Sequence, residues 1–349
     1  MRFNFYNKLY VKISENSDHA GDFLKTKYKN YGCKLEDNGL NEEDIITLDF
    51  VPKFEEKTLS FLKREAAFDN NSFYILDKKG NKMKCDFNGP LWGNKFVIEN
   101  NYDCSFLDAI LRSVIFMKLC FKNFIPVHAS SVEYNKDGIL MPAWAATGKT
   151  RMLLSLIEKG GEFVSDEWTF IGEDKLFTYS NVFLVCDYDI KEFPEVCNLS
   201  LWDKIRLDVN SLCKPVIAKR IMERLGLSMR SKKYDLYKMF PEAKTSTAFS
   251  EVYFLQKYNG KQVKKSVIPL DDLANKLYHS FSMENSVFFH YYSLFKFAFF
   301  EKEKDLKRQF EEKYKSSLTR ALAEKECFEL LVPESLKYKD FDIRGVISG

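Results

Sequence analysis

Ile139-Leu140-Met141-Pro142-Ala143-Trp144-Ala145-Ala146-Thr147-Gly148-Lys149-Thr150, continued by Arg151-Met152-Leu153-Leu154-Ser155-Leu156-Ile157-Glu158-Lys159, reads as an apolar strand, a loop of small residues and an amphipathic helix halted at Gly160-Gly161. A strand that feeds a tight loop and then a helix aims backbone N–H groups, and the positive end of the helix, at a single point. An anion is stabilised there. In such an arrangement Lys149 would neutralise the β- and γ-phosphates of a nucleotide, and the Thr150 hydroxyl would coordinate magnesium. Ala143, Trp144, Ala145, Ala146, Thr147, Gly148, Lys149, Thr150 and Arg151 are therefore the candidate nucleotide-binding residues, with ATP or GTP and Mg2+ as the expected ligands. Gly-Lys-Thr alone recurs often by chance, and the flanking strand and helix give it its weight. The position usually held by a first glycine is Ala143, and Ala145 and Ala146 sit inside the loop. Alanine permits close backbone approach at negative φ and is strained at positive φ.

Working outward, Ile125-Pro126-Val127-His128-Ala129-Ser130-Ser131-Val132-Glu133-Tyr134 reads as a strand turned back by Asn135-Lys136-Asp137-Gly138. On the other side, Glu162-Phe163-Val164-Ser165 is a short strand ending in Asp166-Glu167. Carboxylates at a strand end can hold a metal ion or take a proton from an attacking hydroxyl. An isolated Asp-Glu pair is more often a cap or turn; its place after a phosphate loop favours chemistry. His128 precedes the hairpin. A lone strand histidine is more often a satisfied core residue than a functional one.

Taken together, Val127 to Ile171 resembles the catalytic domain of the HPr kinase/phosphorylase family and its looser relatives, which share the fold of PEP carboxykinase. The resemblance rests on the His128 strand, the loop from Ala143 to Thr150, and Gly160-Gly161-Glu162-Phe163-Val164-Ser165-Asp166-Glu167. It implies an α/β fold: a PEP carboxykinase-like P-loop kinase domain with a mixed sheet. It also implies that Asp166 is the general base, that His128 positions or polarises the phosphoryl group, and that Thr150 and Glu167 hold magnesium. Glu167 stands where the family usually has Asp. The later glycine-arginine signature that accompanies recognition of HPr is missing, so another acceptor is expected. Family members often form rings, which implies a homo-oligomer by resemblance only.

The remaining sequence sets bounds. With 349 residues and 45% apolar content the chain can build more than one core. Lys+Arg 53 against Asp+Glu 50 leaves a charge of +3, which gives no reason to expect a nucleic-acid partner. The eight cysteines form no Cys-x-x-Cys pair and read as reduced structural thiols. No secretory leader pattern opens the sequence, so a cytoplasmic location is expected. Ala109–Phe121 carries Arg112 and Lys118, and Val287–Phe300 carries His290 and Lys296; both read as core helices whose charges reach the surface, without a membrane partner.

Residues 1–101 alternate short apolar runs with polar turns and read as a β-rich N-terminal region. Residues 102–349 read as the nucleotide-binding domain, opening with a helix capped by Ser105. Basic residues between Lys219 and Lys244 offer a phosphate clamp, with Arg230 and Lys244 the candidates. Two functions compete. One is a nucleoside-triphosphate-dependent kinase acting on a hydroxyl of a small molecule, peptide or protein. The other is a non-catalytic nucleotide-binding regulatory or accessory module. PEP-carboxykinase-type carboxyl chemistry ranks last, because His19, His279 and His290 lack ligand-like spacing.

Overall fold

The computed structural model describes residues 1–14, 19–33, 41–55, 58–85, 93–179, 182–196, 199–212, 220, 231–300 and 305–339. It is a mixed α/β protein whose chain packs as two units: residues 1–125 with 281–318, and residues 126–280 with 319–349. The sequence reading placed a boundary at residue 101, whereas residues 102–125 belong by their contacts to the first unit.

The first unit is built on a nine-stranded sheet: β1 (Arg2–Phe5), β2 (Leu9–Ile13), β3 (Gly32–Cys33), β4 (Ile45–Val51), β5 (Ser60–Leu62), β6 (Ala66–Phe68), β7 (Phe73–Leu76), β8 (Lys82–Cys85) and β9 (Lys95–Glu99), in spatial order β3-β1-β2-β4-β9-β8-β7-β6-β5. The alternating pattern of residues 1–101 is thus a real sheet. Its helices include α1 (His19–Lys27) and α2 (Cys104–Phe121). Asp103, not Ser105, caps α2, its side chain accepting from the Phe106 N–H at 2.8 Å. Aspartate one residue before the first turn satisfies an orphan donor that Ser105, already inside the helix, cannot reach. Arg112 is half-buried, but Lys118 does not reach the surface: it is fully buried and donates to Asn94 Oδ1 at 2.6 Å, and burial lowers its pKa to about 8. No helix among the described residues is long and apolar enough to cross a membrane.

The second unit carries the loop. Its main sheet comprises β10 (Ile125–Val127), β11 (Ala129–Tyr134), β12 (Asp137–Pro142), β13 (Glu162–Ser165), β14 (Thr169–Gly172), β15 (Lys175–Thr178), β18 (Ser246–Tyr258), β19 (Lys264–Val267) and β20 (Glu326–Pro333), while β16 (Val182–Cys186) and β17 (Ser231–Asp235) form a separate ribbon. The order is β10-β14-β15-β18-β12-β11-β13, with β20 also on β18 and β19 on β20. The sheet is mixed: β12 and β20 run parallel to β18, whereas β11 is antiparallel to β12 and to β13. The β11–β12 hairpin closes through Asn135 (φ 54°) and Lys136 (φ 73°), the left-handed pair of a two-residue turn. At Gly138 a Cβ would lie 2.0 Å from the Ala248 carbonyl oxygen, so only glycine lets β12 approach β18 there.

The helix α3 (Lys149–Glu158) buries Met152, Leu153, Leu154 and Leu156 against Val132, Ile139, Met141, Leu255 and Leu330. At about 2 kcal/mol per fully buried side chain, this apolar face fixes the helix and hence the loop before it. Cys85, Cys104, Cys120, Cys186 and Cys327 are free thiols. Burial pushes Cys120 up to about 12 and Cys327 up to about 11, which keeps both protonated and unreactive.

Candidate functional site

The loop leaves the parallel strand β12 and enters α3, whose N-cap, Gly148, supplies no side-chain cap. No serine or aspartate side chain caps the first turn of α3, the end of a helix whose dipole favours an anion. Gly148 sits at φ 109°, and a Cβ there would come within 2.1 Å of Tyr338 Oη. Ala146 is held at φ 60° on the exposed rim of the loop, so the left-handed geometry that disfavours alanine is present in it.

Lys149 is buried; its Nζ lies 2.8 Å from His128 Nε2 and 3.4 Å from the Ala143 carbonyl. Because an ammonium can only donate, His128 Nε2 accepts. His128 is then neutral with its proton on Nδ1, which faces Ser280 Oγ at 3.3 Å. The long strand read across residues 125–134 is broken at His128, which stands between β10 and β11 with its ring 5.3 Å from that of Trp168.

Asp166, at the end of β13, is buried and fully engaged: Ser130 donates to Oδ1 at 2.5 Å and Thr150 to Oδ2 at 3.0 Å. The carboxylate beside the Thr150 hydroxyl is thus Asp166. Glu167 is exposed, at φ 64°, in a three-residue turn closed by the Trp168 N–H on the Asp166 carbonyl at 2.8 Å. A left-handed glutamate in so tight a turn is strained, and Ser165 Oγ braces it by donating to the Trp168 carbonyl at 2.6 Å.

The structure thus brings together Lys149, His128, Thr150 and Asp166 around the loop Ala143–Gly148. It does not bring Lys244 there. The Lys244 ammonium pairs with Glu133 and, at 2.7 Å, with Glu162, while its N–H donates to the Phe163 carbonyl at 2.8 Å. Glu133 and Glu162 are register partners. Three residues separate Ser130 from Glu133, on the order of 10 Å along the strand, so Lys244 braces the end of the hairpin remote from the loop. Those hydrogen bonds, that to Lys244 foremost, hold the Glu133 carboxyl below its usual range. Lys244→Met is expected to leave the nucleotide Kd within twofold; a tenfold loss in calorimetry would restore Lys244 to the clamp. Arg230 lies outside the described residues. Arg151 turns aside, its guanidinium 4.8 Å from the Tyr338 ring, 5.5 Å from that of Tyr188 and 3.5 Å from Glu192 Oε2.

Sequence reasoning missed Tyr338, Ser280 and Ser130. Tyr338 is completely buried, and its Oη donates to the Thr147 carbonyl at 2.7 Å while its own carbonyl accepts from Ser155 Oγ at 2.9 Å. Burial raises its phenol to about 12, so it acts as a donor across the physiological range. Tyr338→Phe leaves the Thr147 carbonyl without its donor, an expected cost of about 1–2 kcal/mol in denaturant unfolding. An unchanged midpoint would mean that the bond adds nothing.

No family model matches the chain, and no curated protein does. Among solved structures, it is similar in part to the Hpr(Ser) kinase/phosphatase from Coxiella burnetii, at 15% identity over 41% of this chain and 77% of that one, with a TM-score of 0.21. A likeness that loose carries no weight for the activity.

Proposed function

We propose that the second unit binds a nucleoside triphosphate and transfers its γ-phosphoryl group to a hydroxyl. One observation carries this reading: the Thr150 hydroxyl and the buried Asp166 carboxylate meet at 3.0 Å beside a buried lysine and an uncapped helix N-terminus. Lysine and backbone N–H groups match phosphate oxygens. The hydroxyl and carboxylate match a magnesium ion that takes its other ligands from phosphate and water.

The geometry favours a different division of labour from the one the resemblance implies. Asp166, with both oxygens engaged and Thr150 at its side, suits the metal ligand. His128 suits the base: its Nε2 lone pair is exposed to the reacting groups once Lys149 moves from it to phosphate. The Ala146 strain favours a second reading, a nucleotide-binding module without turnover.

The test is calorimetric titration of ATP and of GTP, each with magnesium, followed by an assay of nucleoside diphosphate release in wild type, Asp166→Asn and His128→Gln. Binding with turnover that both substitutions abolish supports the kinase. Binding without turnover selects the module, and no binding by wild type removes both.

A further inference from the structure

Beside the loop, wholly within the second unit, lies a cavity of about 680 Å³ whose walls include Trp144, Phe254, Asp272, Asn275, His279 and Ser280. Its position relative to the loop has a direction. In a phosphate loop the lysine marks the β- and γ-phosphates. From Lys149 Nζ the contacts run to His128 Nε2 at 2.8 Å and from His128 Nδ1 to Ser280 Oγ at 3.3 Å, and Ser280 is in the cavity wall. The cavity is walled on one side by the loop's own Trp144, Ala145, Ala146 and Thr147 and reaches Ser280, two contacts from Lys149, so a compound held in it lies beside the phosphates that the loop would carry.

Its size and chemistry limit that acceptor. A volume of about 680 Å³ falls in the range of small-molecule sites and admits a one- or two-ring compound. The loop itself contributes Trp144, half exposed at 51% although Ala143 before it and Thr147 after it are buried. A flat indole left open in a cavity wall is a platform for a ring face. The opposing polar groups come from the helix Leu270–Glu284, where Asp272, Asn275 and His279 recur on one face. Among the described residues, the side chains of Asp272 and Asn275 spend no hydrogen bond on the protein. The nearby cations are already committed: Lys276 to Glu329 at 2.6 Å, and Lys257 to the carbonyls of Pro333 and Glu334 at 3.2 and 3.4 Å. A site with open hydrogen-bonding groups but no uncommitted lysine suits a neutral polyhydroxyl compound over an acidic one.

We propose that the phosphoryl acceptor is a small, neutral, ring-shaped hydroxyl compound, a sugar or a nucleoside, seated in this cavity with its flat face on Trp144 and its hydroxyls toward Asp272, Asn275 and His279. The inference rests on the kinase reading above. In the transfer, the acceptor oxygen bonds to the γ-phosphorus as the bond to the β–γ bridging oxygen breaks. The nucleoside diphosphate leaves, and the acceptor proton passes to His128 Nε2.

The full chain is incubated with magnesium and γ-labelled ATP and offered D-glucose, D-ribose, myo-inositol, adenosine, uridine, free L-serine or casein. ATP affinity is measured in parallel by calorimetry. The expected result is label on at least one sugar, cyclitol or nucleoside, the separate arms telling these apart. Asn275→Trp, an exposed helix position that the fold tolerates, then raises the acceptor KM at least tenfold with the ATP Kd within twofold; His279→Ala raises that KM without filling the space. Label on serine or casein alone overturns the proposal. So does ATP binding with no ring compound labelled, or an acceptor KM that Asn275→Trp leaves unchanged. Failure of ATP to bind overturns the kinase reading itself, and the acceptor site with it.

Discussion

Lys149→Ala raises the Kd for ATP at least a hundredfold and leaves the melting temperature within about 2 °C of wild type. The affinity loss, roughly 2.7 kcal/mol, is the scale of charge-assisted hydrogen bonds between an ammonium and phosphate oxygens. The unchanged melt follows from the resting position of Lys149. Its ammonium is buried, 2.8 Å from His128 Nε2 and 3.4 Å from the Ala143 carbonyl. Truncation forfeits hydrogen bonds worth about 1–2 kcal/mol but also removes the cost of holding an ammonium out of water, which is of similar size and opposite sign. Calorimetry and thermal melting on the same preparation separate the two effects. An unaltered Kd would mean that the loop does not cradle phosphate, whereas a collapse in melting temperature would make Lys149 a structural residue.

Gly148→Ala produces the opposite pattern, a fold defect that takes binding with it. Two costs coincide. The backbone at φ 109° excludes an L side chain, and the new Cβ would lie 2.1 Å from Tyr338 Oη and 2.5 Å from Cζ. Together they should destabilise the second unit by on the order of 3 kcal/mol, or about 6–10 °C in its melting transition. The double substitution Gly148→Ala/Tyr338→Ala should cost less than the sum of its parts, because the steric clash disappears while the φ penalty stays. Strict additivity would show that Tyr338 does not shape the loop.

Much of the candidate site's layout was legible in sequence because its residues lie on consecutive local elements. The change from the short apolar run of β12 to period 3.6 in α3, across a loop of small residues, points to Lys149 and Thr150 before any fold is known. The strand that delivers Asp166 was likewise read with its correct limits, Glu162–Ser165. Ser130 was within reach, since it lies two residues beyond His128 at the start of β11. Tyr338 and Ser280 were not. Each meets the site across 152 residues or more, Ser280 through His128 and Tyr338 through Thr147, and no local spacing encodes such a meeting. The partners of Lys244 were not legible, because a cation in a basic stretch reads the same whether it faces phosphate or, as here, two glutamates on neighbouring strands. The contact-based division after residue 125 was hidden for a related reason. α2 is apolar on nearly every side, and such a helix does not announce which sheet it covers.

The nesting of the two units has a consequence for how the chain is made. Residues 1–125 emerge from the ribosome first, yet the helices that complete their unit lie in residues 281–318. One of them, Ser286–Ala298, sets Phe295 edge-on against Phe73 of β7 at 5.6 Å. At 5–20 residues per second, about 10–40 s of synthesis separates the sheet from its cover. The second unit waits longer still, since β20 pairs along β18 only after residue 326 has been made. Throughout that interval a nine-stranded sheet with aromatic residues awaiting their partners is a natural client for a chaperone on nascent chains.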